Sequence, residues 1–118
     1  MEFFVQELPK LPNALLGAKW FIRSSHAKKW KRIVGAILYA HQPIKRLPFA
    51  YITLTRHSPR MCDFDGLVGS FKAVLDALVT HGVIEDDSPK FVEVDYQWTK
   101  TPSAKQGVSV KVQATYDS

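Results

Sequence analysis

Apolar residues along the chain fall into runs of two kinds, some alternating with period two and some recurring every three to four positions. Glu2 to Leu8 reads as a first strand, ended by Pro9 and Pro12. Asn13 to Arg23 follows as a long loop, apolar and basic together. Ser24 or Ser25 can cap a helix reaching about His41, with Trp30, Ile33, Val34, Ile37 and Leu38 on its inward face. Phe49 to His57 alternates, Ala50, Ile52 and Leu54 against Tyr51, Thr53 and Thr55, as a half-buried strand does. Ser58, Pro59 and Arg60 then break it.

Leu67, Phe71, Val74, Leu75 and Leu78 next trace one helical face, predicting a single helix over 66–81 with Asp65 as its N-cap and Gly82 as the left-handed residue that ends it. Its other face carries a polar stripe of Asp65, Gly69, Lys72 and Asp76. Phe91 to Trp98 alternates again, Thr101 to Gly107 is a polar turn, and Val108 to Tyr116 alternates last, which predicts a C-terminal hairpin. The order β-α-β-α-β-β predicts an α+β fold, a mixed sheet of about four strands with two helices packed on it. The whole of 1–118 reads as a single domain.

Composition narrows the class. With 118 residues, 46% of them hydrophobic, the chain can bury a core of its own. No apolar run approaches the roughly 18 residues of a membrane span, and MEFFVQELPK is no basic leader, so a soluble cytoplasmic protein without a membrane partner is expected. The single cysteine, Cys62, excludes an internal disulfide framework, and its neighbour Asp63 makes it a packing residue rather than a nucleophile.

Charge changes the picture more than composition does. Between Leu8 and Cys62 there are eleven Lys and Arg and no Asp or Glu. A solvated helical face normally mixes signs. Lys28, Lys29, Lys31 and Arg32 crowd the first half of the first helix, where cations oppose the macrodipole. Base of this kind points to a polyanion, most simply nucleic acid, with Lys19, Arg23, Lys28, Lys29, Lys31, Arg32 and Arg60 as the expected backbone contacts. Trp20 is placed to stack on bases; Trp30 is expected in the core.

The acid is concentrated where the base stops. Asp63, Asp65, Asp86 and Asp87 bracket the second helix. Like charges ~4 Å apart repel by roughly 4 kcal/mol at an effective dielectric of 20. Such a cluster persists where a cation neutralises it, and oxygen ligands alone favour Mg²⁺ or Mn²⁺. A helix over 66–81 is ~24 Å long, however, so only a returning loop or a second subunit brings Asp87 to Asp63 and Asp65. From these residues alone two readings stay open: a metal site, or a helix cap with an acidic turn. No H-E-x-x-H, G-x-S-x-G or phosphate-cradling glycine loop competes.

Asp63-Phe64-Asp65, the helix bearing Lys72 and Leu75-Asp76-Ala77-Leu78, and Gly82-Val83-Ile84-Glu85-Asp86-Asp87 together resemble the RusA family of phage-type Holliday junction resolvases. There a D-x-D-N pair leads a lysine-bearing helix with a D-A-L segment, and G-x-x-x-D-D follows. Gly66 departs from the usual Asn, and Lys72 lies seven residues after Asp65 rather than four. The resemblance, over about 25 residues, implies a homodimeric endonuclease that uses Mg²⁺ or Mn²⁺ to nick four-way junctions, in DNA recombination and repair. It implies Asp63, Asp65 and Asp87 as metal carboxylates and Lys72 as the essential lysine; Asp76 matches the family's helical aspartate, and its i+4 spacing makes it a Lys72 partner rather than a ligand. Apolar surface for the second subunit is expected on the first strand (Phe3, Phe4, Val5) or the C-terminal hairpin (Tyr96, Trp98, Val110, Val112). A non-catalytic DNA-binding or packaging accessory protein is the alternative.

Overall fold

A computed structural model describes residues 1–41 and 43–115. The fold is α+β: one four-stranded mixed sheet with helices on one face. The strands are β1 (Glu2–Val5), β2 (Ala50–Ser58), β3 (Val92–Lys100) and β4 (Gly107–Gln113), in the spatial order β1-β4-β2-β3. β4 is antiparallel to both β1 and β2, whereas β2 and β3 are parallel.

The expected C-terminal hairpin is therefore corrected: β3 and β4 flank β2 and do not pair. Thr101 N–H bonds the Ser58 carbonyl at 3.0 Å, and a 3₁₀ turn at Ser103–Lys105 carries the chain across the end of β2. Six residues suffice to pass one strand at the usual ~4.8 Å spacing. The last strand stops at Gln113, and Tyr116, assigned to it from sequence, lies outside the described residues. The first strand ends at Val5 rather than Leu8.

The expected loop from Asn13 to Arg23 is largely helical. α1 (Pro12–Leu15) starts with proline at its first position, where a missing N–H costs nothing, and α2 runs from Trp20 to Tyr39, four residues earlier than Ser24. Trp30, Val34 and Leu38, four apart, are its buried stripe. The second expected helix is two: α3 (Phe64–Ser70) and α4 (Lys72–Thr80) meet at Phe71. Phe71 is wholly buried, so the bend pivots on a core side chain. Gly82 ends α4 with φ 77°, as its position predicts.

One side of the sheet faces the helices. Phe3 and Val5, Ile52 and Leu54, Val92, and Val108, Val110 and Val112 join Trp30, Val34, Leu38, Val74 and Leu78 in one core. α2 and α4 approach closely where Gly35 meets the His81 ring, 2.7 Å from where a Cβ would stand, and His81 Nε2 donates to the Lys31 carbonyl at 2.8 Å. The opposite face is polar and open, with Thr53, Asp95 and Lys111 abreast. His57 belongs there, bonded to Ser109 Oγ at 2.7 Å and turned from the helical side. No helix among the described residues is long and apolar enough to cross a membrane.

The apolar residues expected to meet a second subunit are mostly spent inside one. Phe3, Val5, Val110 and Val112 are buried, and Tyr96 and Trp98 are half-buried against the core. Of the named residues Phe4 is exposed, and other large exposed apolar side chains lie at Leu16, Trp20, Phe21, Met61 and Phe64.

Candidate functional site

The acidic pair sits where β2 ends and α3 begins. Asp63, not Asp65, is the N-cap: its backbone is extended, and Oδ1 accepts the Gly66 N–H at 2.8 Å. Asp65 stands in the first turn, where the helix dipole favours a carboxylate. The cap also accounts for Gly66. A Cβ there would lie 2.6 Å from Asp63 Oδ1, so any side chain, including the Asn that the resemblance would place there, would push the capping carboxylate aside. Gly69 makes similar room for Pro12, at 2.4 Å from a Cβ, and so lets α1 close over α3.

The acidic run comes back along the helix. Leu47 N–H bonds the Val83 carbonyl at 3.1 Å, Leu47 and Ile84 form a parallel bridge, and Arg46 pairs with Glu85 at 3.3 Å. A turn closed by the Ser88 carbonyl then leads into β3. This return places Asp87 beside Lys72, with Nζ to Oδ2 2.5 Å apart, and Lys72 also meets Asp76 at 3.1 Å. The Lys72 hydrogen bond holds the Asp87 carboxyl below the usual carboxylate range, and Asp87 in turn raises the Lys72 ammonium.

Tyr96 joins the two halves. Its ring packs edge-on against Phe64, between Asp63 and Asp65, at 6.3 Å, and against Phe71 at 6.2 Å. Burial raises its hydroxyl pKa, and the nearby Asp87 charge raises it further. Alternation along its strand puts Tyr96 on the inward face, but carries no sign that Asp87 returns to it. Tyr96 thus packs on Phe64 of the D-F-D segment and lies within reach of the charges of the Lys72–Asp87 pair.

These carboxylates do not form a three-ligand centre. Among the described residues no three His, Cys, Asp or Glu side chains group as metal ligands. Asp63 is held by its cap and Asp87 by Lys72. Asp63 and Asp65 open together, with Asn13, onto a hollow of about 160 Å³, and their chemistry suits half of a hard-cation site. The arrangement in one subunit does not fit the full metal centre that the resemblance implies.

The basic residues divide as well. Lys19, Arg23, Lys28 and Arg32 are exposed, with no ion-pair partner among the described residues; Lys19 lies over the Phe21 ring at 5.8 Å. Lys31 is half-buried, and its carbonyl holds His81. Lys29 departs from the expectation of unpaired base: it meets Glu7, just before the acid-free stretch, at 2.8 Å. Arg60 is exposed on the loop that leads to Asp63, and Trp20 is exposed while Trp30 is in the core.

Sequence reasoning passes over Arg56. Alternation continues from Ala50, Ile52 and Leu54 to put it on the helical side, where it is 7% exposed and donates to the Pro9 carbonyl at 2.7 Å. No protein-family model and no curated sequence matches the chain.

Proposed function

We propose that the chain is a cytoplasmic, divalent-metal-dependent endonuclease that nicks branched DNA, four-way junctions above all, acting as a homodimer. The observation that carries this is the Asp87–Lys72 contact. Two of the four side chains singled out for catalysis lie fifteen residues apart in sequence, yet a returning loop joins them, and their charges reach Tyr96, whose ring packs on Phe64 of the D-F-D segment.

Each part of the chain has a task under this proposal. The exposed cations of α2 bind phosphate backbone, which supplies affinity and register without base reading. A divalent ion, Mg²⁺ or Mn²⁺, when bound would supply Lewis-acid and water-activating chemistry. Asp63 and Asp65 would hold it. Lys72 provides a positive charge near the phosphate and keeps Asp87 ionised. Tyr96, half-buried against the core, backs the site on its inner side. Two subunits would each cut one strand, matching the two-fold symmetry of paired nicks.

A non-catalytic DNA-binding or accessory role is favoured by one specific observation: Asp63 already has a structural task as a cap, and Asp87 already has a cation. Titrating Mg²⁺ and Mn²⁺ against a synthetic four-way junction separates the two. Symmetric nicking that depends on the ion supports the proposal. Binding without cleavage supports the accessory role and overturns the nuclease.

A further inference from the structure

A guanidinium removed from water without a counter-ion costs several kcal/mol, and chains seldom keep one without a reason. Arg56 is such a group. It is 93% buried, taking its 7% exposure from the whole, and no carboxylate lies within ion-pair distance among the described residues. One nitrogen, Nη1, donates to the Pro9 carbonyl. Among the described residues no buried side-chain nitrogen or oxygen lacks a partner, so the remaining Arg56 nitrogens are not sealed in the core; they open to a cleft.

That cleft has a volume of about 560 Å³ and runs from Arg56 past Arg60 and Asn13 to Asp63. Its floor is fixed. Ser58 donates to the Arg60 carbonyl at 2.9 Å and accepts from Trp98 Nε1 at 2.8 Å, so its hydroxyl braces the walls. A link to the Pro9 carbonyl alone could be made by a neutral donor. A planar fork with free nitrogens, set at the bottom of a cleft with a second arginine at its rim, suits a tetrahedral oxyanion bound through two parallel hydrogen bonds.

We propose that Arg56 is a phosphate-binding residue, and that the cleft seats one backbone phosphate of a nucleic-acid strand whose next segment passes Asp63 and Asp65. The site stands on Arg56 and its cleft; only the source of the phosphate rests on the nucleic-acid reading above. Burial lowers the Arg56 pKa from its very high ordinary value.

The test uses the full chain without any divalent ion. The Arg56 Nε–Hε resonance is followed by NMR during titration with inorganic phosphate, with tetrathymidylate, and with chloride at matched ionic strength. Phosphate and tetrathymidylate should both shift it saturably, and chloride should not; Arg46, already paired with Glu85, should follow ionic strength alone. Arg56→Gln, which keeps a donor for Pro9, should weaken tetrathymidylate binding about tenfold or more, as removal of a charged bidentate donor does. An Arg56 signal that stays still, or moves no more than that of Arg46, overturns the site even if Arg56→Gln fails to fold. A response to phosphate but not to tetrathymidylate overturns the backbone assignment in favour of a small free phosphate. Binding at Arg56 in a protein that cuts no junction supports the site while sinking the nuclease; junction cleavage with a silent Arg56 sinks the site alone.

Discussion

The acidic and basic regions are built on opposite terms. From Asp63 to Asp87 most carboxylates are engaged: Asp63 caps α3, Asp76 and Asp87 share Lys72, and Glu85 meets Arg46. On α2 the cations are mostly free, since Arg23, Lys28 and Arg32 have no ionic partner among the described residues and only Lys29 is taken up, by Glu7. Anchored acid holds a geometry, whereas free base keeps its charge available to a polyanion. The two regions should therefore fail differently when mutated, the first in chemistry and the second in affinity.

The largest effect is expected in the acidic region. Asp63→Asn, Asp65→Asn and Asp87→Asn remove charge while keeping shape, and each should slow junction cleavage at least about a hundredfold, about 2.7 kcal/mol in the barrier, with binding unchanged or tighter. Lys72→Ala should do likewise. Single-turnover cleavage and gel-shift affinity measured on the same junction read both quantities. Normal cutting by all three Asn variants would leave the acids as caps and turns.

Next comes affinity. Replacing Arg23, Lys28, Lys31 and Arg32 by Ala should weaken junction binding and flatten its log–log salt dependence by about 0.9 for each phosphate that is no longer neutralised. Lys29→Ala should change the slope least, because Glu7 already neutralises that charge. Equal slopes for the quadruple variant and the wild type would move the DNA surface off α2, with Arg60 and Arg56 the next place to look.

How much of the molecule is legible in its sequence follows from the range of each interaction. Local signals read well: the alternation of Ala50, Ile52 and Leu54, the inward Trp30, and the left-handed Gly82 all depend on neighbours a few positions away. Which aspartate of D-F-D caps the helix is decided by where the chain turns from extended to helical. The clue is Gly66, three residues after Asp63 and too small to displace its carboxylate. Strand order is not legible. Adjacency in sequence suggests a hairpin, but β4 gains pairing on both sides by lying between β1 and β2, and nothing local encodes that choice. The return of Asp87 depends on the Leu47–Val83 bond and the Leu47–Ile84 bridge, which join segments more than thirty residues apart. Arg56 is within reach of sequence reasoning once the alternation of β2 is carried one step past Leu54.

A smaller effect concerns the cap itself. Gly66→Asn introduces the residue usual in the family that this segment resembles but brings its Cβ against Asp63 Oδ1, so the capping bond should be lost or strained. Loss of an N-cap costs about 1 kcal/mol, typically within 0.5–2. Urea denaturation should show a destabilisation of that order. If stability is unchanged while cleavage rises, the Asp63 carboxylate has been released from capping into catalysis, and the anchored geometry is a resting state rather than the working one.

The smallest effect decides how firmly Asp87 is anchored. Its carboxyl is depressed by the Lys72 hydrogen bond, so its contribution to stability is present above the unfolded carboxylate pKa and is lost as pH falls through the lower folded value. Lys72 is raised, so its contribution is full below the unfolded lysine pKa and is lost as pH climbs through the higher folded one. The pair therefore acts from about pH 4 to about pH 10, between the two ordinary values, and fades at both ends. Lys72 is 62% exposed, so screening keeps the whole contribution within about 0–1 kcal/mol. Asp87→Asn should cost no more than that at neutral pH in urea denaturation, and the difference from wild type should vanish once the pH lies below the folded Asp87 pKa. A cost of several kcal/mol would mean that Asp87 is a structural keystone, unable to leave Lys72 for any ligand. A small cost beside a hundredfold loss of cleavage would mean that the ion pair is weak enough for a bound phosphate or cation to compete for either partner, which is what a working site at this position requires.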